Sequence, residues 1–210
     1  MIKIEHIHTC NWEAAIRGMR NPLNSWNKSD SGMSNDNYIL GPNDLKLAKQ
    51  LATAGSDHGK FLRQIIFSCD ITAPMYWWKE MDTYKVGTVR NSCSTMHKIM
   101  SKPITKEDFS WENINQNYFS ANRIIGELGY MRDLYYKYKD KDKEKAKEIW
   151  YNLIKLLPSS YNQRSTWTAN YEVLRNIYHA RKNHKLNEWH EFCDMIEKLP
   201  FSELITEERK

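Results

Sequence analysis

The sequence contains no run of about 18 apolar residues, which argues against an ordinary membrane-spanning helix. Its opening residues, "MIKIEHIHTC", lack the apolar centre of a secretory signal, so a cytoplasmic, non-membrane protein is expected. Cysteine is sparse. Cys10, Cys69, Cys93 and Cys193 show no C-x-x-C spacing, so no zinc ribbon or redox pair is indicated. In a chain of 210 residues these scattered thiols make no disulfide framework, and reduced cysteines are expected. Strong charge of one sign is also lacking, since 31 Lys and Arg face 26 Asp and Glu, a net charge of +5. That mild excess suits an anionic partner. Because it is not gathered into one arm, a small phosphorylated ligand ranks above DNA or RNA. G-x-G-x-x-G, Walker A and G-x-S-x-G patterns are absent, as is any internal repeat.

What remains is an ordinary globular composition with many aromatics. Hydrophobic residues make up 40% and charged residues 27%, with eight Trp and twelve Tyr. The length suits a single domain over residues 1–210. Alternation in "MIKIEHIHTC" predicts a strand, and Asn11 is a fair cap for a helix placing Trp12, Ala15, Ile16 and Met19 on one face. The Asn-, Ser- and Gly-rich stretch from Asn21 to Gly41 reads as a loop. "NDLKLAKQLATAG" reads as a helix beginning at an Asn/Asp cap and stopping at Gly55. Gln64 to Ala73 is strand-like, and Pro74 suits the first turn of the aromatic helix "PMYWWKEMDTY". Thr83 to Thr95 reads as strand or ordered loop. Tyr118, Ala121, Ile124, Ile125, Leu128, Met131, Tyr135 and Tyr138 recur at helical spacing, and Ala146, Ile149, Trp150, Leu153, Ile154 and Leu157 repeat the pattern. These two helices predict an antiparallel hairpin ended by Pro158, with the mixed charges of "KYKDKDKEKAK" on a solvated surface. Leu186, Trp189, Phe192, Cys193 and Ile196 mark one more helix. The order of elements predicts an α+β domain.

"RSTWTANYEVLRNIYHAR", Arg164 to Arg181, reads as a further helix. At about 100° per residue, Leu174, Ile177 and Arg181 fall within roughly 40° of Asn170, with Trp167 close by. Arg181 is then near the centre of an apolar face. Two readings are open: Arg181 snorkels outward or pairs with a carboxylate, or the face borders a cavity where its guanidinium meets an anion. The helix taken alone favours the first.

The segment "LPSSYNQRSTWTANYEVLRNIYHARKNH" resembles the C-terminal signature of flavin-dependent thymidylate synthases. That signature falls on Leu157-Pro158, Arg164, Trp167-Thr168-Ala169-Asn170, Asn176, Arg181, His184 and Trp189. "IIFSCDITAPMYWWKEM", "MIKIEHI" and "EAAIRGMR" resemble the family's strands and helices further upstream. The resemblance implies one α+β domain, a small mixed or antiparallel sheet packed by helices, assembled as a homotetramer with FAD at subunit interfaces. It implies transfer of a one-carbon unit from methylenetetrahydrofolate to C5 of dUMP, with NADPH as reductant. By the same resemblance Arg164 and Arg181 meet the pyrimidine nucleotide, Arg181 in a catalytic role, while Asn170 and Asn176 face the flavin.

The family's Arg-His-Arg-x-x-Ser-x-Asn-Glu-x-Ser-x-Arg-Tyr motif falls, without a gap, on "TYKVGTVRNSCSTM", Thr83 to Met96. Thr83 and Tyr84 replace Arg-His, Asn91 replaces Glu, Cys93 replaces the second Ser, and Thr95 and Met96 replace Arg-Tyr. Lys85 keeps one cation, toward the cofactor. Thr88 keeps a hydroxyl, and Thr88, Arg90 and Cys93 complete the expected nucleotide site. Loss of cations from a dianion site is not restored by neutral side chains. Cys93 is either a small replacement for Ser or a thiolate near Lys85 and Arg90 able to attack a pyrimidine. His6 and His8 lack a visible third metal ligand and read as a polar strand face, and "MYWWKEM" reads as core. Three functions are therefore carried forward. They are the thymidylate synthase reaction, a related enzyme acting on another pyrimidine or delivering hydroxymethyl, and a non-catalytic nucleotide- or nucleic-acid-binding relative.

Overall fold

The computed structural model describes residues 1–35, 37–112, 114–115 and 120–209. Tyr118, the first residue of the helical stripe expected there, lies outside these. The chain is mixed α+β, with a four-stranded sheet in the order β1-β4-β6-β5. Its strands are β1 (Lys3–Cys10), β4 (Ile66–Pro74), β5 (Val89–Ser92) and β6 (Asn162–Asn170). Short strands β2 (Gly32–Ser34) and β3 (Asn37–Ile39) pair antiparallel, Met33 opposite Tyr38. Among the described residues no helix is long and apolar enough to cross a membrane.

The chain divides into two compact units. One comprises Met1, Thr72–Met81 and Ser92–Ser165, and the other Ile2–Ile71, Asp82–Asn91 and Thr166–Lys210. The first unit contains α3 (Met75–Met81), α4 (Thr95–Lys98) and the expected helical hairpin of α5 (Ala121–Tyr138) and α6 (Lys143–Leu156). Asp142 caps α6 by accepting from the Lys145 N–H. The apolar stripes of α5 and α6 close on a core of Ile99, Met100, Ile104, Phe109, Trp111, Leu128 and Leu153. Two buried indoles find partners here, Trp78 donating to the Gln163 carbonyl at 2.9 Å and Trp111 to the Ser160 hydroxyl at 2.7 Å.

The second unit contains α1 (Trp12–Arg20), α2 (Pro42–Thr53), α7 (Tyr171–Arg181), α8 (Asn187–Glu197) and α9 (Glu203–Thr206). Alternation along β4 buries Phe67, Cys69 and Ile71. Between them, Ser68 shares a hydrogen bond with Thr168 at 2.8 Å, and Asp70 accepts from Thr166 at 2.6 Å. Trp167 packs edge-on against Phe67 and Phe192, joining β6 to α8.

Several expected details change. Residues 21–41 are not one loop. They contain two short 3-10 helices and the paired strands β2 and β3. The α2 helix is capped from a distance: Asp30 accepts from the Asn43 and Asp44 N–H groups, and Gly41, not an Asn or Asp, holds the N-cap position. Asp44 is wholly buried and accepts from Arg20 Nε at 2.5 Å, from Ser29 and Ser31 hydroxyls, and from two backbone N–H groups. Asn11 holds the N-cap position of α1 in a left-handed conformation but does not cap with its side chain, which donates instead to the Gln64 carbonyl. The regular alternation expected in β1 is broken at His6, whose φ is +54°.

Candidate functional site

The stretch Arg164 to Arg181 is not one helix. It is the end of β6 followed by α7, and Asn170 is the hinge. Ser165, Trp167 and Ala169 are buried alternately, a period of two, so Trp167 and Asn170 do not share the helical face expected for them. Asn170 has extended backbone and its Oδ1 accepts from the Val173 N–H at 3.0 Å, an N-cap. Its amide nitrogen faces Gly87, where φ is +74° and an added Cβ would lie 3.0 Å from Asn170 Nδ2 and 3.4 Å from Val173 Cγ2. Glycine is needed at that point on both counts. The loop between α3 and β5 thus lies directly against the start of α7. Thr88 closes its turn by donating to the Tyr84 carbonyl at 2.7 Å.

At the other end of α7 the same loop meets Arg181. This residue is half-buried, and its Nε donates to the Tyr84 hydroxyl at 2.8 Å. The guanidinium carbon lies 4.8 Å from the Trp189 ring centre and 5.6 Å from that of Tyr84, both within cation–π range. Trp189 in turn meets Tyr84 and His184 edge-on, each at 6.2 Å. Tyr84, Arg181, His184 and Trp189 therefore form one cluster. It holds a cation by aromatic faces and a phenol.

The remaining expected residues are more dispersed. Asn176 and Lys85 are exposed. Arg90 is half-buried, and its Nη1 reaches both carboxylate oxygens of Asp82 at 2.9 and 3.0 Å, so its charge is already balanced by an acid. Arg164 and Cys93 belong to the first unit, whereas the other six candidates belong to the second. Arg164 and Cys93 are exposed, and their backbones pair, the Cys93 N–H donating to the Arg164 carbonyl at 2.8 Å. All four cysteines are free. Burial, helped by Asp70, pushes the Cys69 thiol up to about 12, and burial with Asp194 and Glu197 pushes Cys193 up to about 11. Neither is a thiolate at neutral pH. Trp77, Trp78 and Met81 of "MYWWKEM" are core. Among the described residues no three His, Cys, Asp or Glu side chains stand together to hold a metal ion.

Sequence reasoning missed two residues on this helix system. Tyr84 was counted only as a lost histidine, although it is the partner of Arg181. The most deeply buried arginine is Arg175, 1% exposed, not Arg181. Its guanidinium donates to the backbone carbonyls of Leu204 at 2.8 Å and Ile205 at 3.3 Å, and to that of Glu207. No spacing within α7 announces those carbonyls, because they come from the far C-terminal segment.

With this geometry in place, the architecture matches a known class, the fold of flavin-dependent thymidylate synthases. A structure of thymidylate synthase X from Helicobacter pylori with FAD and dUMP superposes with a TM-score of 0.69, at 16% identity, over 98% of each chain. A second structure of that flavin-dependent enzyme from Helicobacter pylori, also complexed with FAD and dUMP, gives 0.68 at 16% identity, over 99% of this chain and 100% of the other. No protein-family model and no curated protein sequence matches the chain.

Proposed function

We propose that the chain is an FAD-dependent enzyme that transfers a one-carbon unit from methylenetetrahydrofolate to C5 of a pyrimidine deoxynucleotide, dUMP to dTMP, with NADPH as reductant. The proposal includes a homotetramer with flavin at subunit interfaces. The observation that carries it is the end-to-end likeness of fold to structures whose ligands are FAD and dUMP.

The chemistry of the donor set suits these ligands. Amides donate and accept, as the edge of a flavin ring requires, and Asn176 is exposed while Asn170 presents its Nδ2 beside Gly87. Lys85, also exposed, supplies a cation for the flavin diphosphate. Bound FAD supplies hydride chemistry that no side chain of this protein has. Arg181 and Arg164 bind the nucleotide, and Arg181 orients it by charge-assisted hydrogen bonds. Thr88, Arg90 and Cys93 are the further nucleotide ligands of this reading. Thr88 and Arg90 contribute less than the family's cations do, because their donors also serve Tyr84 and Asp82. Cys93 takes the place of a serine and needs no nucleophilic role, so Cys93→Ser is expected to keep full turnover.

One observation favours a second reading. Thr83 and Thr95 are neutral where the family motif carries arginines. That change suits a different pyrimidine, delivery of hydroxymethyl, or a nucleotide-binding protein without turnover. Purified protein that shows a flavin spectrum, and releases tritium from 5-tritiated dUMP only with methylenetetrahydrofolate present, supports the first reading. Release from dCMP instead moves the substrate. A colourless protein whose spectrum does not change on adding FAD contradicts both enzyme readings.

A further inference from the structure

The run "KYKDKDKEKAK", Lys137 to Lys147, joins α5 to α6 and holds six lysines against three acids. In sequence the two signs cancel on a solvated face. The structure arranges them otherwise. Asp142 is taken up as the cap of α6. Lys145 turns to Tyr138, its Nζ 4.1 Å from the ring centre, and Lys137 lies 5.8 Å from the same centre. The Lys145 ammonium, with help from Lys137, holds the Tyr138 hydroxyl below the ordinary value of a phenol. Lys139 lies 5.4 Å from the Tyr136 ring centre, which Arg132 also meets at 5.0 Å. Among the described residues Lys137, Lys139 and Lys145, all exposed, therefore rest on rings and not on the acids of their own run. The Tyr136 ring is 43% exposed, although its hydroxyl is anchored to the Met100 carbonyl at 2.9 Å.

We propose that the end of the α5–α6 hairpin is a binding surface for single-stranded nucleic acid, with bases stacked on Tyr136 and Tyr138 and phosphates held by Lys137, Lys139 and Lys145. It is a second site, and it does not rest on the reading of Arg164 and Arg181 as nucleotide ligands. Residues two apart on a helix point about 200° from one another, so the two tyrosines stand on opposite flanks of the last turn of α5. A strand crosses the end of the hairpin from one ring to the other. The pairing of charge with flat rings selects this partner. An acidic peptide engages the lysines and leaves the rings unused. A duplex keeps its base faces inside the stack. A single strand offers base faces and phosphates together. The magnitudes favour the exchange. An exposed cation–π contact is worth about fivefold or less in an equilibrium constant, whereas stacking a base on an aromatic ring is worth about five- to a hundredfold. A base that displaces an ammonium from a ring also frees that ammonium for the neighbouring phosphate.

The test uses full-length protein and fluorescence anisotropy with labelled oligomers about 15 nucleotides long, one of deoxythymidylate and one of uridylate. Melting is recorded on the same samples. Wild type is expected to bind at low salt, and the ratio of the two affinities tells DNA from RNA as the source of the strand. Tyr138→Ala is expected to weaken binding about tenfold, and Tyr136→Ala with Tyr138→Ala further still. Tyr138→Phe, which keeps the ring, is expected to bind as wild type does. Lys137→Gln, Lys139→Gln and Lys145→Gln together are expected to lower the slope of log affinity against log salt by about two. If Tyr136→Ala fails to fold because it loses the Met100 contact, Tyr138→Ala alone decides. Wild-type protein that binds neither oligomer at low salt overturns the proposal. Unchanged binding in a folded Tyr138→Ala overturns it too, as does equal binding of polyglutamate, which marks a surface for any polyanion. Displacement of the oligomers by dUMP places the strand at the α7 site and overturns the hairpin surface, whereas dUMP binding without displacement supports two separate sites.

Discussion

Arg175 and Arg181 lie less than two turns apart on α7, yet the helix uses them in opposite ways. Arg175 points into the C-terminal segment, where three backbone carbonyls take its donors, and burial lowers its affinity for the proton. Arg181 is half-buried and meets a phenol and two aromatic rings. A guanidinium bound by three fixed carbonyls is a structural brace. The other is gripped by a phenol at its Nε and by ring faces. Arg20 is a third case, buried and paired with the buried carboxylate of Asp44. The partner, more than the arginine, decides what the residue can do.

That comparison can be broken by mutation, and the largest effect is expected at Asp44. Asp44→Ala strands Arg20 in the interior and is expected to cost about 4 kcal/mol in urea unfolding. A loss under 1 kcal/mol would show the pair to be dispensable. The Asp44 carboxyl also has a pH signature. Burial raises its proton affinity, but the hydrogen bonds from Ser29, Ser31, Arg20 and the Asp30 N–H outweigh it, leaving the value below the ordinary 3.8 of an aspartate. A lowered folded value means that its stabilisation is present above pH 3.8 and is lost as pH falls through the folded value. Asp44→Asn is expected to flatten that acid limb of the stability curve.

Next in size is Arg175→Met, which leaves carbonyls of the C-terminal segment without donors. A loss of about 3 kcal/mol is expected by thermal unfolding, with Arg181→Met within about 1 kcal/mol of wild type. Equal losses at the two sites would erase the distinction between brace and ligand. Asn170→Ala removes the cap of α7 and is expected to cost about 1 kcal/mol. The smallest effect belongs to His179, whose proton affinity is lowered by burial and by Arg175 and Lys182, against the Ile205 carbonyl and Glu208. Its contribution is present above pH 6.5 and fades as pH falls through the lowered folded value. Stability of wild type should therefore drop slightly between pH 7 and 5 relative to His179→Gln.

Much of this architecture was legible because its signals are local. The α5–α6 hairpin follows from two helical stripes, and β4 from a β-branched run stopped by Pro74. The boundary between β6 and α7 was misread because Trp167, Asn170 and Leu174 fit helical spacing by coincidence. The alternation of Ser165, Trp167 and Ala169, followed by a capping Asn170, was the signal available. Of the candidate site, Arg181 stood out in sequence because an arginine on an apolar stripe needs an explanation. Its partner Tyr84 did not, since tyrosine is ordinary in any core and lies far upstream. Arg175 was hidden for a similar reason, because its acceptors are main-chain carbonyls, which no side-chain pattern records. The distant cap of α2 by Asp30 is invisible in the same way.

The most direct measurement compares dUMP affinity in Arg181→Ala and Arg175→Met, with unfolding recorded on the same samples. The account predicts a loss of about a hundredfold for Arg181→Ala with its melting unchanged, the scale of a charged contact to phosphate. It predicts the reverse for Arg175→Met, a lower melting temperature and near-normal affinity below that temperature. Unchanged dUMP affinity in Arg181→Ala would contradict it.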